Sequence, residues 1–369
     1  MTKDAIRTAT VLLLAFAAAA SAQTPAGGEV LVNTYTTGSQ RRARVAMEPD
    51  GDFVVVWTSF DQDGDNYGAF GQRFAASGAP RGNEFRVNTD TTGQQFRPAV
   101  AVGSRGDFVV VWESVEDGSG LSIQGRRYDA SGDPIGAEFL VNTFTTGDQY
   151  SAHVGRASDG RFVVSWTSQD VDGSSHGIAA RRFDASGNPI GSEFVVNTYT
   201  TGYQRLGHLA VEGNGDFVAV WGDYNNRDGS GSAIFGQRYD TAGAPVGTEF
   251  RLNQITAGDQ VANGPTGSEW VAQLTDGRLV ATWTGPDADG SGIFVRLIDV
   301  PGGGNDAPVN TLPASYTTNE DTAVTLSGLS VADPDAGIGF GYAMSQHWQG
   351  STRNAPRWRT IFDALYGAL

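Results

Sequence analysis

The chain has 369 residues, a formal charge of −16, 50 glycines and 14 prolines, and 39% of it is hydrophobic. That length admits one large or two smaller domains, and glycine beside plentiful Val, Phe and Trp suits short strands and tight turns rather than disorder. The acidic balance disfavours nucleic acid and anionic membranes and favours cations, while the lack of cysteine excludes disulfides, thiol catalysis and cysteine–zinc sites.

The N-terminus has the form of an export signal. Lys3 and Arg7 precede an apolar stretch at 8–20, and Ala20-Ser21-Ala22 supplies small residues for cleavage. Residues 1–22 are therefore expected to be removed from a secreted or cell-surface protein, bacterial in origin. The apolar run is too short to span a bilayer, and no later segment is apolar enough, so membrane insertion is not expected.

Residues 23–300 repeat themselves. Val-Asn-Thr occurs at Asn33, Asn88, Asn142 and Asn197, and weakened at Asn253, roughly every 55 residues. A second phrase, Phe-Val-Val-Val-Trp at 53–57, returns in variants ending at Trp112, Trp166, Trp221 and Trp283. One arginine per unit follows, Arg73, Arg127, Arg182, Arg238 and Arg296. Each unit holds four strand signals in order. The first is short and turns at a glycine such as Gly51. The second is apolar at consecutive positions, which buries both its faces. The third and fourth alternate. Stacked small antiparallel sheets with sandwiched inner strands give this pattern, so the expected fold is all-β: a five-bladed β-propeller of four-stranded antiparallel blades. The strand at 29–34 would complete the last blade, whose own fourth strand is missing, and so close the ring. A β-solenoid or an open array is the rival.

A glycine-rich linker at 301–304 follows, then residues 305–337 with Asn305-Asp306-Ala307-Pro308, Asn319-Glu320-Asp321-Thr322 and Asp333-Pro334-Asp335. These phrases resemble the cadherin-like tandem domains of large secreted bacterial calcium-dependent adhesins of the RTX and VCBS type, and the 55-residue units resemble repeats that accompany them. The resemblance implies an incomplete cadherin-like β-sandwich, with Asp306, Glu320, Asp333 and Asp335 as calcium ligands. Residues 338–369 lose the strand grammar and read as an atypical tail from truncation or a frameshift.

Within the repeats, an acidic glycine loop follows each tryptophan strand: Asp61, Asp63 and Asp65, then Glu116-Asp117, Asp170 and Asp172, Asp228, and Asp287 with Asp289. Carboxylates two apart before a glycine can turn oxygens towards calcium. A solvated turn with Asx hydrogen bonds explains them too. The recurrent arginines are expected to pair with Glu84, Glu138, Glu193 and Glu249 on the fourth strands. The recurrent glutamines Gln40, Gln95, Gln149, Gln204 and Gln260 either ring one mouth of the propeller or bond blade to blade.

Catalysis is not expected. The histidines His153, His176, His208 and His347 are taken as surface or turn residues out of register, and the first strands lack acids until Glu48 or Glu212. The function read from the sequence is a non-catalytic, monomeric adhesion or binding module, calcium-stiffened, facing an extracellular glycan or protein surface. The alternative is a carbohydrate-active propeller enzyme, glycosidase- or sialidase-like. A non-functional fragment of a longer adhesin is a third possibility.

Overall fold

The computed structural model describes residues 28–115, 118–261, 271–273, 278–287 and 290–299, with the strand backbones 309–311, 330–333 and 338–341. Among these there is no helix. The first sheet runs β1 (Gln40–Met47), β2 (Phe53–Phe60), β3 (Tyr67–Phe74) and β4 (Pro80–Arg86) in antiparallel order. The second repeats it with β5 (Gln95–Val102), β6 (Phe108–Ser114), β7 (Ser122–Tyr128) and β8 (Pro134–Leu140). The third comprises β9 (Gln149–Arg156), β10 (Phe162–Gln169), β11 (His176–Phe183) and β12 (Pro189–Val195). The fourth comprises β13 (Gln204–Val211), β14 (Phe217–Asp223), β15 (Ala233–Tyr239) and β16 (Pro245–Arg251). A fifth sheet has three described strands, β17 (Val271–Gln273), β18 (Leu279–Pro286) and β19 (Ser291–Ile298). Four sheets of four antiparallel strands, stacked on one another, fit a β-propeller.

The unbroken apolar runs do bury both faces. Every residue of β6 and of β14 is buried. One face pair is used four times. Phe108, Val110 and Trp112 lie on Val54, Val56, Ala69 and Val87 of the sheet before. Phe162, Val164 and Trp166 lie on Val109, Val111, Ile123 and Val141. Phe217, Ala219 and Trp221 take Val163, Ile178, Ala180 and Val196, and Leu279, Ala281 and Trp283 take Val218, Val220, Ile234 and Leu252. First strands pack in succession, β1 on β5, β5 on β9, β9 on β13 and β13 on β17. They are the inner strands.

The Val-Asn-Thr phrase is the hub of each unit. The side-chain oxygens of Asn88, Asn142, Asn197 and Asn253 accept the backbone N–H of Ala69, Ile123, Ile178 and Ile234 at 2.7–2.9 Å. Their amides donate to the glutamine that opens the next inner strand, Gln95, Gln149, Gln204 and Gln260. These glutamines are buried and bond within and between units, rather than ringing an open mouth.

The threonine after each asparagine reaches the following sheet. Thr89, Thr143 and Thr198 donate their backbone N–H groups to Glu138, Glu193 and Glu249. Thr34 does the same to Glu84, its hydroxyl at 2.8 Å. Those glutamates are thus occupied by threonines, and the expected arginine–glutamate pairs do not form. A bulge between Gly71 and Arg73 sets Arg73 opposite Arg81 instead. Arg73 donates to the carbonyls of Ala130 and Ser131, Arg127 to Ala185 and Arg182 to Thr241, each in a turn of the next sheet.

The expected ring closure is not what the described residues display. Residues 29–34 form no strand, and the bonds of Thr34 attach them to the first sheet, where a preceding unit would end. Met47 on β1 is 70% exposed and Ile293 on β19 is 78% exposed, so the outward faces of the first and fifth sheets are open. Further on, β20 (Val309–Thr311), β21 (Ser330–Asp333) and β22 (Ile338–Gly341) pair in sequence, and the β21–β22 hairpin spans the boundary expected at 337/338.

Third strands carry a small residue beneath the phenylalanine of the fourth. A Cβ on Gly125 would stand 2.7 Å from the ring of Phe139, and the third sheet has Ala180 opposite Phe194 at the same place. Gly125→Val should therefore cost about 1–3 kcal/mol through overpacking, with Gly125→Ala well below that. Urea midpoints of the two variants test the ordering.

Candidate active site

The site is built where the inner strands begin. Each of the first four inner strands has a bulge there, with a non-glycine residue at positive φ: Arg42 (59°), Arg97 (51°), Ser151 (55°) and Leu206 (62°). Such backbone costs of order 1–3 kcal/mol and persists where neighbours hold it. The holder is the residue after the tryptophan of the preceding sheet. Arg97 donates its N–H to the hydroxyl of Thr58, and Leu206 to that of Thr167, both at 2.9 Å. Ser151 donates instead to Oε1 of Glu113, at 2.7 Å. Glu113 thus replaces a structural threonine with an ionisable group.

Its side chain is fully enclosed, with Arg97 Nη1 2.9 and 3.2 Å from its two oxygens. Burial dominates over the attraction of Arg97 and the Ser151 bond, and pushes the carboxyl up from 4.5 to about 7. The charge of Asp148 adds to the rise. A carboxyl that holds its proton near neutrality is the protonation state a general acid needs.

Beside it stands an aromatic wall. Tyr150 of β9 meets His176 edge-on at 5.9 Å between ring centres, and His176 meets Tyr203 at 4.5 Å. Tyr203 continues to Tyr224 at 5.8 Å, while the hydroxyls of Tyr150 and Tyr203 are 3.5 Å apart. The guanidinium of Arg205 lies over both Tyr203 and Tyr224, at 5.1 and 4.6 Å. Burial raises the Tyr150 hydroxyl and lowers the His176 imidazole. Flat rings with polar edges suit sugar faces and hydroxyls.

Deeper along the inner strands, His153 of β9 and His208 of β13 overlap with ring centres 3.5 Å apart, both buried. Contrary to the expectation, they do recur in register, each four residues after the repeat glutamine. Arg44 of β1 is near enough to disfavour their charged forms, which brings the first, third and fourth inner strands together. His176 opens β11, half-buried. His347 lies outside the described residues.

The residues expected to hold calcium are dispersed. Asp63 and Asp172 accept hydrogen bonds from Asn88 and Asn197 at 2.8 and 2.9 Å, as Asp228 does from Asn253. Asp65 accepts the N–H of Gly93. Asp61 and Asp170 sit at positive φ, their N–H groups bonded to the carbonyls of Asn66 and Ser175. Asp287 turns towards Gly290 and Gly292. Among the described residues no group of three or more Asp, Glu or His is gathered as a metal would require. Glu116, Asp117, Asp289, Asp306, Glu320 and Asp335 lie outside them, and Asp333 is described only as backbone at the end of β21. No described helix is long and apolar enough to cross a membrane.

No protein-family model and no curated protein matches this chain. Solved structures of similar shape include a protein of unknown function from Dyadobacter fermentans, 12% identical over 70% of this chain and 79% of that one, TM-score 0.48. Others are an endo-arabinase from Bacteroides thetaiotaomicron (13%, 71% and 95%, TM-score 0.41) and an α-L-arabinanase from Penicillium chrysogenum (16%, 70% and 80%, TM-score 0.43). Further ones are described as glycoside hydrolases and a sialidase.

The expected non-catalytic adhesion module, and with it the expected lack of enzyme activity, is at odds with how these structures are described. The similar structures are mostly carbohydrate-active enzymes. The first strands are acid-free, as the sequence reads, and the carboxylate that stands here, Glu113, comes from β6. The signal was visible in Trp112-Glu113-Ser114, an acid where Trp57-Thr58-Ser59 and Trp166-Thr167-Ser168 have threonine and Trp221-Gly222-Asp223 has glycine.

Proposed function

We propose that the chain is a carbohydrate-active enzyme of propeller architecture that hydrolyses a glycosidic bond, with Glu113 as the proton donor. The observation that carries this is the enclosed carboxyl of Glu113, held up to about 7 where the first, third and fifth sheets keep a threonine and the fourth a glycine. Protonation of the departing sugar oxygen is the task such a group performs in glycoside cleavage, opposite a second, ionised carboxylate. Asp148, whose Oδ1 accepts the N–H of Leu121, is the nearby carboxylate whose charge Glu113 feels. The tyrosine wall with Arg205 orients the sugar ring beside them. Export on residues 1–22 brings the enzyme to extracellular glycans.

The test is turnover by the mature chain on a panel of polysaccharides and aryl glycosides. Glu113→Gln should lower kcat by about 10²-fold or more while KM changes little. The wild-type rate should fall as pH rises through about 7, because the donor then loses its proton. Wild-type turnover by Glu113→Gln, or no cleavage anywhere on the panel, ends the proposal. Calcium in the acidic loops is a separate expectation, and identical thermal midpoints with calcium and with chelator remove it.

A further inference from the structure

The fifth sheet lacks a strand that the chain carries elsewhere. Each fourth strand before it opens with one phrase, Pro-x-Gly-x-Glu-Phe, at 80–85, 134–139, 189–194 and 245–250. One residue later comes Val-Asn-Thr or its variant. After β19 the phrase does not return, and among the described residues β19 pairs with β18 alone. It stands instead at the front of the chain, as Pro25-Ala26-Gly27-Gly28-Glu29-Val30, one residue before Val32-Asn33-Thr34. The described part of that segment, 28–34, belongs to no sheet, and Val30 is 58% exposed.

Three features fit the segment to β19 in particular. Third strands set a small residue opposite the phenylalanine of the fourth: Gly71 with Phe85, Gly125 with Phe139, Ala180 with Phe194 and Gly236 with Phe250. In the same register β19 has Val295 and the segment has Val30, so a larger residue meets a smaller one and the bulk of the pair is kept. The asparagine hub agrees. Asn142, Asn197 and Asn253 accept the N–H of Ile123, Ile178 and Ile234, all buried. The equivalent on β19 is Ile293, six residues after Asp287 as Ile234 is after Asp228, and it is exposed. Asn33 has the local bond to the Tyr35 carbonyl and no third strand to accept from among the described residues. Finally, a cleft of about 120 Å³ lies along this edge, lined by Gln254, Trp283, Phe294 and Val295 among others. Gln254 stands where Thr89, Thr143 and Thr198 reach the glutamate of a fourth strand, and Glu29 is that glutamate in the segment.

An open strand edge offers unpaired N–H and C=O groups to another strand, and extended segments bind by completing such sheets. Within one chain the two parts do not meet. Thr34 fastens the segment to Glu84 of the first sheet, while Val295 is 64% exposed on the fifth. We infer that a second copy of this chain supplies the strand: residues 28–31 of one copy pair with β19 of another. The first sheet of the donor then stacks on the fifth sheet of the acceptor, as successive sheets do inside the chain. Two different surfaces meet, so the contact is head-to-tail and passes on to further copies. It is independent of the carbohydrate reading.

The chain has no cysteine, so introduced thiols report the contact directly. Val30→Cys and Val295→Cys are made in separate mature full-length chains, mixed and oxidised. Opposed residues of antiparallel strands lie about 4.5–5.5 Å apart between Cα atoms, within disulfide reach. A mixed disulfide dimer is expected, well in excess of self-linked dimers of either variant alone. In sedimentation the wild type should gain mass with concentration, and Ile293→Asp should weaken that association by about tenfold or more. Val30→Asp should act alike. Thermal midpoints at low concentration identify a variant that fails to fold, and the other then carries the measurement. A wild type that stays monomeric, with no mixed dimer, overturns the inference. So does a chain carrying both cysteine substitutions that oxidises to a linked monomer, because its own segment then fills the edge. Association that neither aspartate weakens also overturns it, since another surface is then in use.

Discussion

Acidification should unfold this protein well before its carboxylates alone would, and His153→Gln should postpone the transition. His153 is held neutral by burial, then by Arg44, which together push it from 6.5 down to about 3. His208 is lowered in the same direction by burial, by His153 and by Arg44. Below pH 6.5 the unfolded chain takes up protons that the folded one refuses, so stability falls with pH until the folded value near 3 is passed. For His153 alone this amounts to on the order of 5 kcal/mol, comparable with the whole stability of many domains.

Glu113 acts with the opposite sign. Its folded carboxyl keeps a proton between 4.5 and about 7 that the unfolded chain has released, so its contribution declines as pH rises through that window, by on the order of 3 kcal/mol. The two effects offset each other between pH 4.5 and 6.5, which flattens the wild-type curve there. Below 4.5 only the histidine term remains, and the curve steepens. Urea unfolding at pH 7.5 and pH 4.0 should show His153→Gln losing several kcal/mol less than wild type. Equal losses would mean that the imidazole pair is not enclosed as described.

The second large effect is expected at Asn197. Alanine there leaves the buried N–H of Ile178 without an acceptor and withdraws donors from Asp172, from the carbonyl of Tyr199 and from Gln204. A buried polar group left unpaired costs about 1–3 kcal/mol, and the amide served several at once. Asn197→Ala should therefore lower stability by about 4 kcal/mol. Asn197→Asp keeps the acceptor but sets a carboxylate against Asp172, and should be no better. A loss below about 1 kcal/mol for alanine would reduce the asparagine to a repeat marker without structural weight.

What the sequence disclosed follows from range. Val54 to Val56 and their counterparts announce burial on both faces, because consecutive apolar residues leave no side for water. The repeat marker Asn88 was equally plain, but its work was not. Its partners are Ala69 in β3, Asp63 in the loop before it and Gln95 at the start of β5, and only folding brings them together. The amides that bond Asp63 and Asp172 are likewise distant in sequence, so the acidic loops display their carboxylates but not these partners. Arg73 was misassigned because a bulge shifts the third strand against the fourth, and a period-two reading of facing residues does not contain bulges. Glu113 and the pair His153–His208 were legible as substitutions within aligned units. Each stands as an exception to the repeat, which a strand-by-strand pattern does not display.

The two open end faces have a further meaning. Phe53 and Val55 at one end, and Val280 and Val295 at the other, belong to the same two surfaces that are mated four times inside the stack. Nothing in their chemistry distinguishes a terminus from a junction. A duplicated stretch of about 55 residues, inserted at any unit boundary, would find its partners ready-made on both sides. The length of such an array is thus open to change by tandem duplication alone.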